Sequence, residues 1–114
     1  MKLIIAGCRH INYPFIVQRA IDFFGISGIT EVVDGGAEGV DRLGAFWAQD
    51  NKIKICMFPA DWKKHGKAAG PIRNEQMAKY AHVLLAIWDR KSRGTRHMIE
   101  NAIKYKLDVW IYYL

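Results

Sequence analysis

The sequence has few cysteines and no long apolar run, and these absences exclude several classes of protein. Its 114 residues include only two cysteines, which is too few for a disulfide framework, so we expect reduced thiols and a cytoplasmic location. The cysteines and the four histidines show none of the spacings of metal-ligand sets, and neither a metal nor a cofactor is predicted. The apolar runs are only as long as strands, which predicts neither a membrane span nor a signal peptide.

Acidic residues are also scarce relative to basic ones. Eleven aspartates and glutamates stand against 17 lysines and arginines, which gives a formal net charge of +6. Such an excess is typical of a solvated basic surface, and equally of a protein that binds an anion such as a nucleotide or nucleic acid. The charge alone does not choose between the two. The length fits a single domain, residues 1–114, with a core of its own.

What the sequence does contain is a regular alternation of apolar strands and helices. Strands are predicted at residues 2–6, 31–34, 53–58, 82–88 and 109–113. The helix after the first strand is predicted to bury Ile16, Ala20 and Phe23 and to end at Gly25, and Pro71 is predicted to open the third helix. The pattern predicts a three-layer α/β domain in which a mainly parallel five-stranded sheet is flanked by about four helices.

Polar, basic and glycine residues gather just after the predicted strands. In parallel sheets, ligands bind outside the carboxyl ends of the strands, so we expect a site at that edge. The groups concerned are Gly7, Cys8 and Arg9 after the first strand, Gly35, Gly36, Gly39 and Asp41 after the second, Asp61 and the basic loop 63–67 after the third, and Asp89, Arg90, Arg93, Gly94 and Thr95 after the fourth.

Three helix N-termini are predicted to meet at the same edge. The turn "GGAEGVD" precedes the second helix, "GPIRN" opens the third with Arg73 and Asn74, and "SRGT" precedes the last. Glycines allow a ligand to approach the backbone closely, and helix N-termini attract phosphate. Each turn alone could be no more than a tight connection or a helix cap. Their convergence favours an anion site.

Four segments together resemble the YspA-like, or cpYpsA-related, branch of the SLOG superfamily: "MKLIIAGCR", "VVDGGAEGVDRLGAFWA", "FPADWKKHGKAAGPIRNEQMA" and "AIWDRKSRGTRHMI". The resemblance covers nearly the whole chain and implies a Rossmann-like fold with a nucleotide-type ligand. A serine often stands in place of Cys8 in this branch. Carried over residue by residue, the resemblance implies ligand or phosphate binding by Gly7, Arg9, Gly35, Gly36, Gly39, Asp41, Arg73, Asn74, Gly94 and Thr95.

The sequence departs from the superfamily at the position that serves catalysis in the LOG-type phosphoribohydrolases. Those enzymes release a base from a nucleoside monophosphate and carry a P-G-G-x-G-T-x-x-E signature whose glutamate is catalytic. Here Met98 occupies that position, and Glu100 comes two residues later. The candidates for a catalytic carboxylate are therefore Asp41, Asp89 and Glu100, with none favoured by the motif.

Three functions remain open at this point. The first is binding of a nucleotide or nucleotide-derived phosphorylated ligand, in the manner of a sensor, by a homo-oligomer. The second is hydrolysis of the N-glycosidic bond of such a ligand. The third is DprA-like binding of single-stranded DNA through the basic rim, with Trp62 stacking on a base.

Overall fold

Five parallel strands form one sheet at the centre of the molecule. The computed structural model describes the whole chain, residues 1–114. The sheet order is β3-β2-β1-β4-β5, and every neighbouring pair is parallel. The strands are β1 Lys2–Gly7, β2 Glu31–Asp34, β3 Lys54–Met57, β4 Val83–Trp88 and β5 Asp108–Tyr113.

Helices cover both faces of this sheet, which confirms the predicted α/β three-layer fold. They are α1 Ile16–Phe24, α2 Val40–Asp50, the four-residue α3 Trp62–His65, α4 Ala69–Tyr80 and α5 Arg93–Lys104, with a 3-10 turn at Gly66–Ala68. Helices α1 and α2 pack on one face through a core that includes Leu3, Ile5 and Leu85. Helices α4 and α5 pack on the other face, where Ile4 and Leu84 lie. None of the helices combines the length and apolar character that crossing a membrane requires.

The strand order places a crevice at the carboxyl ends of β1 and β4. These strands are neighbours, but the chain leaves β1 toward α1 on one face and leaves β4 toward α5 on the other. Connections that diverge to opposite faces open a gap between the loops, and such a gap is the usual ligand site of this architecture. The fold therefore places a crevice at the edge of the sheet where the sequence predicted a site.

Two details of the helices differ from the prediction. Phe23 is 73% exposed instead of buried, because the last turn of α1 lies beside the sheet edge, where the ring meets the edges of Phe24 and Tyr112 at 5.0 and 5.6 Å between centroids. Helix α4 begins at Ala69, so Pro71 is its third residue, and the missing N–H of a proline is harmless within a first turn. Gly25 ends α1 with a φ of 64°, as expected.

Candidate functional site

A cavity of about 430 Å³ opens at the crevice between α4 and α5. Its size falls within the range of small-molecule sites. Seven of the ten residues predicted to bind the ligand line it, and they are Gly7, Arg9, Asp41, Arg73, Asn74, Gly94 and Thr95. Arg93, which the sequence placed at this edge of the sheet, also lines it, as do His97 and Met98.

A second recess of about 460 Å³ adjoins the first on the β2–β3 side. Gly35 and Gly36 line this recess, and Gly39 lines neither space. The two spaces share Arg9, Trp62 and Arg73 in their walls. The predicted residues are thus divided between two adjoining recesses, with one of them outside both.

Arg73 lies at the boundary of the two recesses and is almost completely buried, with 8% of its surface exposed. Its Nη1 donates to the carbonyl of Gly35 and its Nε donates to Oδ1 of Asn74 at 3.1 Å. The carboxylates of Asp34 and Asp41 balance its charge. Its Nη2 has no hydrogen-bond partner within the chain. The guanidinium therefore has a structural role, and one of its nitrogens remains available to a ligand.

The two carboxylates beside Arg73 have unusual proton affinities. Burial raises the pKa of Asp34 to about 7, and repulsion from Asp41 acts in the same direction. Burial also raises the pKa of Asp41 to about 6, although the charge of Arg73 opposes the shift. Oδ1 of Asp34 accepts the Gly36 N–H at 2.7 Å, whereas its buried Oδ2 has no partner. The pair therefore changes protonation near neutral pH, next to the cavity.

Hydrogen bonds between α4 and α5 hold the wall of the cavity. Asn74 on α4 contacts His97 Nδ1 on α5 at 3.2 Å and donates to the Gly94 carbonyl at 3.4 Å. Asn101, one turn further along α5, donates to the His97 carbonyl at 2.9 Å. His97 was missed in the sequence, although its position three residues after Gly94 places it one helical turn away on the same side.

The N-terminus of α5 presents free donors to the cavity. Ser92 caps the helix by accepting the Thr95 N–H at 3.4 Å. The backbone N–H groups of Arg93 and Gly94 have no acceptor within the chain. A Cβ at Gly94 would meet nothing within 4 Å. This turn is therefore open to an anion, which helix N-termini favour.

The N-terminus of α2 is instead occupied by the protein itself. Val40 donates its N–H to the carbonyl of Cys8 at 3.1 Å. Gly39 has a φ of 72°, and a Cβ there would lie 2.3 Å from the same carbonyl oxygen. A Cβ at Gly7 would lie 2.3 Å from the carbonyl oxygen of Ile87. These two glycines allow backbone segments to pack closely, which explains them without a ligand.

The three candidate catalytic carboxylates occupy different places. Asp41 lines the cavity, while Asp89 and Glu100 do not. Met98 lines the cavity and is buried, with 1% of its surface exposed. The position of the LOG-type glutamate is thus inside the site in this chain, but it holds a thioether.

A further cluster forms beside the cavity from residues that are distant in the sequence. Cys8, His10 and Asp89 bring a sulfur, an imidazole nitrogen and a carboxylate oxygen within 4.8 Å of one another. Burial raises the pKa of the Cys8 thiol to about 11. The spacing of histidines and cysteines gave no sign of this group, because Asp89 joins it from the end of another strand.

Comparisons with known proteins show which sequences this chain is similar to. The model of the YspA, cpYpsA-related SLOG family matches residues 1–65. Gene 61 protein of Mycobacterium phage D29 is 38% identical over 84 residues, which cover 68% of this chain and 67% of that protein. No solved structure shows a significant match. The family match includes Gly7, Arg9 and the glycine turn after β2, and it ends before α4 and α5.

Proposed function

Because this chain belongs to the YspA, cpYpsA-related SLOG family, we propose that it binds a nucleotide or nucleotide-derived phosphorylated ligand in the cavity between α4 and α5. The observation that carries the proposal is the chemistry of that cavity. Two free backbone N–H groups at the start of α5 lie among its lining residues, together with the exposed arginines Arg9 and Arg93. Such a set of donors suits a phosphate group.

The remaining parts of a nucleotide find suitable partners in the same cavity. Trp62 is 52% exposed at the rim. Its ring lies against Gly70, 3.3 Å from the place where a Cβ would stand on that glycine. An exposed indole in this place offers a flat surface to a base. Asp41 is the carboxylate that lines the cavity, and it would accept a hydrogen bond from a ribose hydroxyl. Binding without a reaction fits a sensor.

Hydrolysis of the bound ligand has weaker support. Cleavage of an N-glycosidic bond needs a carboxylate or another proton donor near the sugar, by analogy with glycoside hydrolysis. Met98 supplies neither, and Glu100 lies outside the cavity on an exposed part of α5. Asp41 is the one candidate that lines the cavity, and the charge of Arg73 favours its ionised form. The buried thioether therefore favours binding over catalysis.

Single-stranded DNA binding is distinguished by its dependence on salt. The basic residues of the loop, Lys63, Lys64 and Lys67, are exposed, and contacts of this kind with many phosphates would make affinity fall steeply as salt rises. A mononucleotide that fills one cavity would show only a shallow dependence. Titration at two salt concentrations separates the two functions.

The proposal is tested by calorimetric titration of the protein with a panel of nucleoside mono- and diphosphates. We expect saturable binding of at least one nucleotide to the wild type. Arg9→Ala and Arg93→Ala should each weaken it by about 10- to 100-fold, the loss typical of one hydrogen bond to a charged group. Gly94→Ala should weaken it as well, because the new methyl group stands where the backbone would meet the phosphate.

Arg19→Ala is the matched control, since Arg19 is exposed and lies outside both recesses. It should leave affinity unchanged. Thermal melts should show all four variants folded, because their side chains are exposed and Gly94 has open space around it. An equal loss in Arg19→Ala would mean that net charge, and not this cavity, attracts the ligand. Absence of binding to every nucleotide of the panel would contradict the proposal.

A further inference from the structure

The cluster of Cys8, His10 and Asp89 is held in place by the sheet. Strands β1 and β4 are paired in register, with Gly7 opposite Ile87. The residues that follow these two positions therefore emerge side by side at the carboxyl edge. Their donor atoms lie within 4.8 Å of one another, and Nε2 of His10 is 3.9 Å from Oδ2 of Asp89.

The carboxylate of Asp89 is oriented by its own backbone contacts. Oδ1 accepts the N–H groups of Lys91 and Ser92, each at 2.8 Å. Oδ2 makes no such bond and faces His10. Hydrogen bonds of this kind fix a carboxylate so that its second oxygen is presented in a defined direction, which is how outer contacts orient metal ligands.

The sulfur of Cys8 is also fixed. The backbone N–H of Asp89 donates to Sγ at 3.2 Å. The thiol in turn donates to the carbonyl of Ile87 at 3.6 Å. Replacing the thiol proton with a cation would remove the hydrogen bond to Ile87 and keep the one from the Asp89 N–H.

We propose that Cys8 Sγ, a ring nitrogen of His10 and Oδ2 of Asp89 bind a zinc-type divalent cation, with a fourth position left to water or another ligand. One sulfur, one nitrogen and one oxygen ligand suit zinc and its close relatives, which take such ligands at about 2.0–2.3 Å in tetrahedral geometry. Magnesium and calcium prefer sets made of oxygen alone. On binding, the thiol proton leaves as the metal–sulfur bond forms.

The three ligand atoms must move closer together to reach this geometry. Ligand atoms at tetrahedral zinc lie roughly 3.3–3.7 Å apart, given the usual bond lengths. The present separations of up to 4.8 Å must therefore shorten by about 1 Å. The side chain of His10 is 64% exposed, and its approach to Asp89 at 3.9 Å is too long for a hydrogen bond. It is therefore free to supply much of this movement.

Titration of the metal-free protein with Co²⁺ alone tests the proposal without any nucleotide. We expect saturable binding of one ion per chain, with the near-ultraviolet charge-transfer band of a cobalt thiolate, and displacement of the ion by Zn²⁺. Cys8→Ser should abolish the band. His10→Ala and Asp89→Asn should weaken Zn²⁺ binding at least 10-fold, and Asp89→Asn keeps the Oδ1 acceptor that the loop uses.

Cys56→Ser and His65→Ala are the controls, since they remove the same residue types outside the cluster. Both should bind cobalt like the wild type. Absence of a thiolate band in the wild type would overturn the proposal, and so would a band that depends on Cys56. If both His10→Ala and Asp89→Asn bound Zn²⁺ with wild-type affinity, the ion would be bound by a lone thiol. That result would also overturn the proposal.

Discussion

Replacing Asp34 with asparagine should change the way in which stability depends on pH. Asp34 is fully buried at the end of β2. One of its carboxylate oxygens accepts the Gly36 N–H, and the other has no partner. Burial raises its pKa from the ordinary value of 3.8 to about 7. The folded protein therefore holds this proton over a range of pH in which the unfolded chain has released it.

The direction and size of the effect follow from that difference. A group that binds its proton more tightly in the folded state adds most to the free energy of unfolding below pH 4. This contribution falls as the pH rises to about 7. A difference of about three pKa units corresponds to at most about 4 kcal/mol of unfolding free energy. The neutral side chain of Asp34→Asn has no such dependence. The free energy of unfolding of the variant should therefore rise steadily relative to that of the wild type between pH 4 and pH 7.

Urea unfolding of both proteins at half-unit steps from pH 4 to pH 8 measures this difference. Subtracting the two profiles removes the contributions of the titrating groups that do not interact with Asp34, because both chains share them. Asp50→Asn, at the exposed end of α2, serves as the control and should follow the wild type. Parallel profiles for Asp34→Asn and wild type would refute the reasoning, since they would show that Asp34 ionises in the folded protein as it does in the unfolded chain.

Two further variants test the packing and the chemistry of the site. Gly39→Ala should lower the unfolding free energy by about 2–4 kcal/mol, because its Cβ would overlap the carbonyl oxygen of Cys8 at 2.3 Å and because φ is 72°; unchanged urea melts would show that the loop simply moves. Wild-type protein should release no free base from nucleoside monophosphates when products are separated by chromatography, since Met98 cannot transfer a proton. Slow release by Met98→Glu would show that only the carboxylate was missing, whereas robust wild-type release that Asp41→Asn abolishes would contradict the binding proposal.

The fold could be predicted because the strands are almost continuously apolar and the helices alternate with them. Such strands must be buried on both faces, and parallel order with helices on each side is the arrangement that achieves this. The start of α4 could not be placed, because a proline in a first turn gives the same signal whether it is the first or the third residue. The exposure of Phe23 depends on where α1 ends relative to β5, and helical periodicity carries no information on that position.

The candidate site was predictable in its location and less so in the roles of its residues. Strand ends and glycine turns mark the edge of the sheet, and this location does not depend on the contacts of individual side chains. The role of Arg73 depends on Asp34 and Asp41, which approach it only after folding. The sequence showed an arginine near a helix start and could not show that two carboxylates already neutralise it. The cluster of Cys8 with Asp89, 81 residues apart, was invisible for the same reason.

The position of Arg73 links ligand binding to protonation. Its guanidinium stabilises the ionised form of Asp41, whose pKa is about 6 even with that help. A phosphate that approaches the free Nη2 would add negative charge beside the same guanidinium and raise the pKa of both carboxylates. Binding should therefore take up protons between about pH 6 and pH 8, and affinity should rise as the pH falls. Calorimetry in two buffers with different ionisation enthalpies measures the uptake directly. Binding without proton uptake in this range would place the phosphate away from Arg73, at the start of α5 alone.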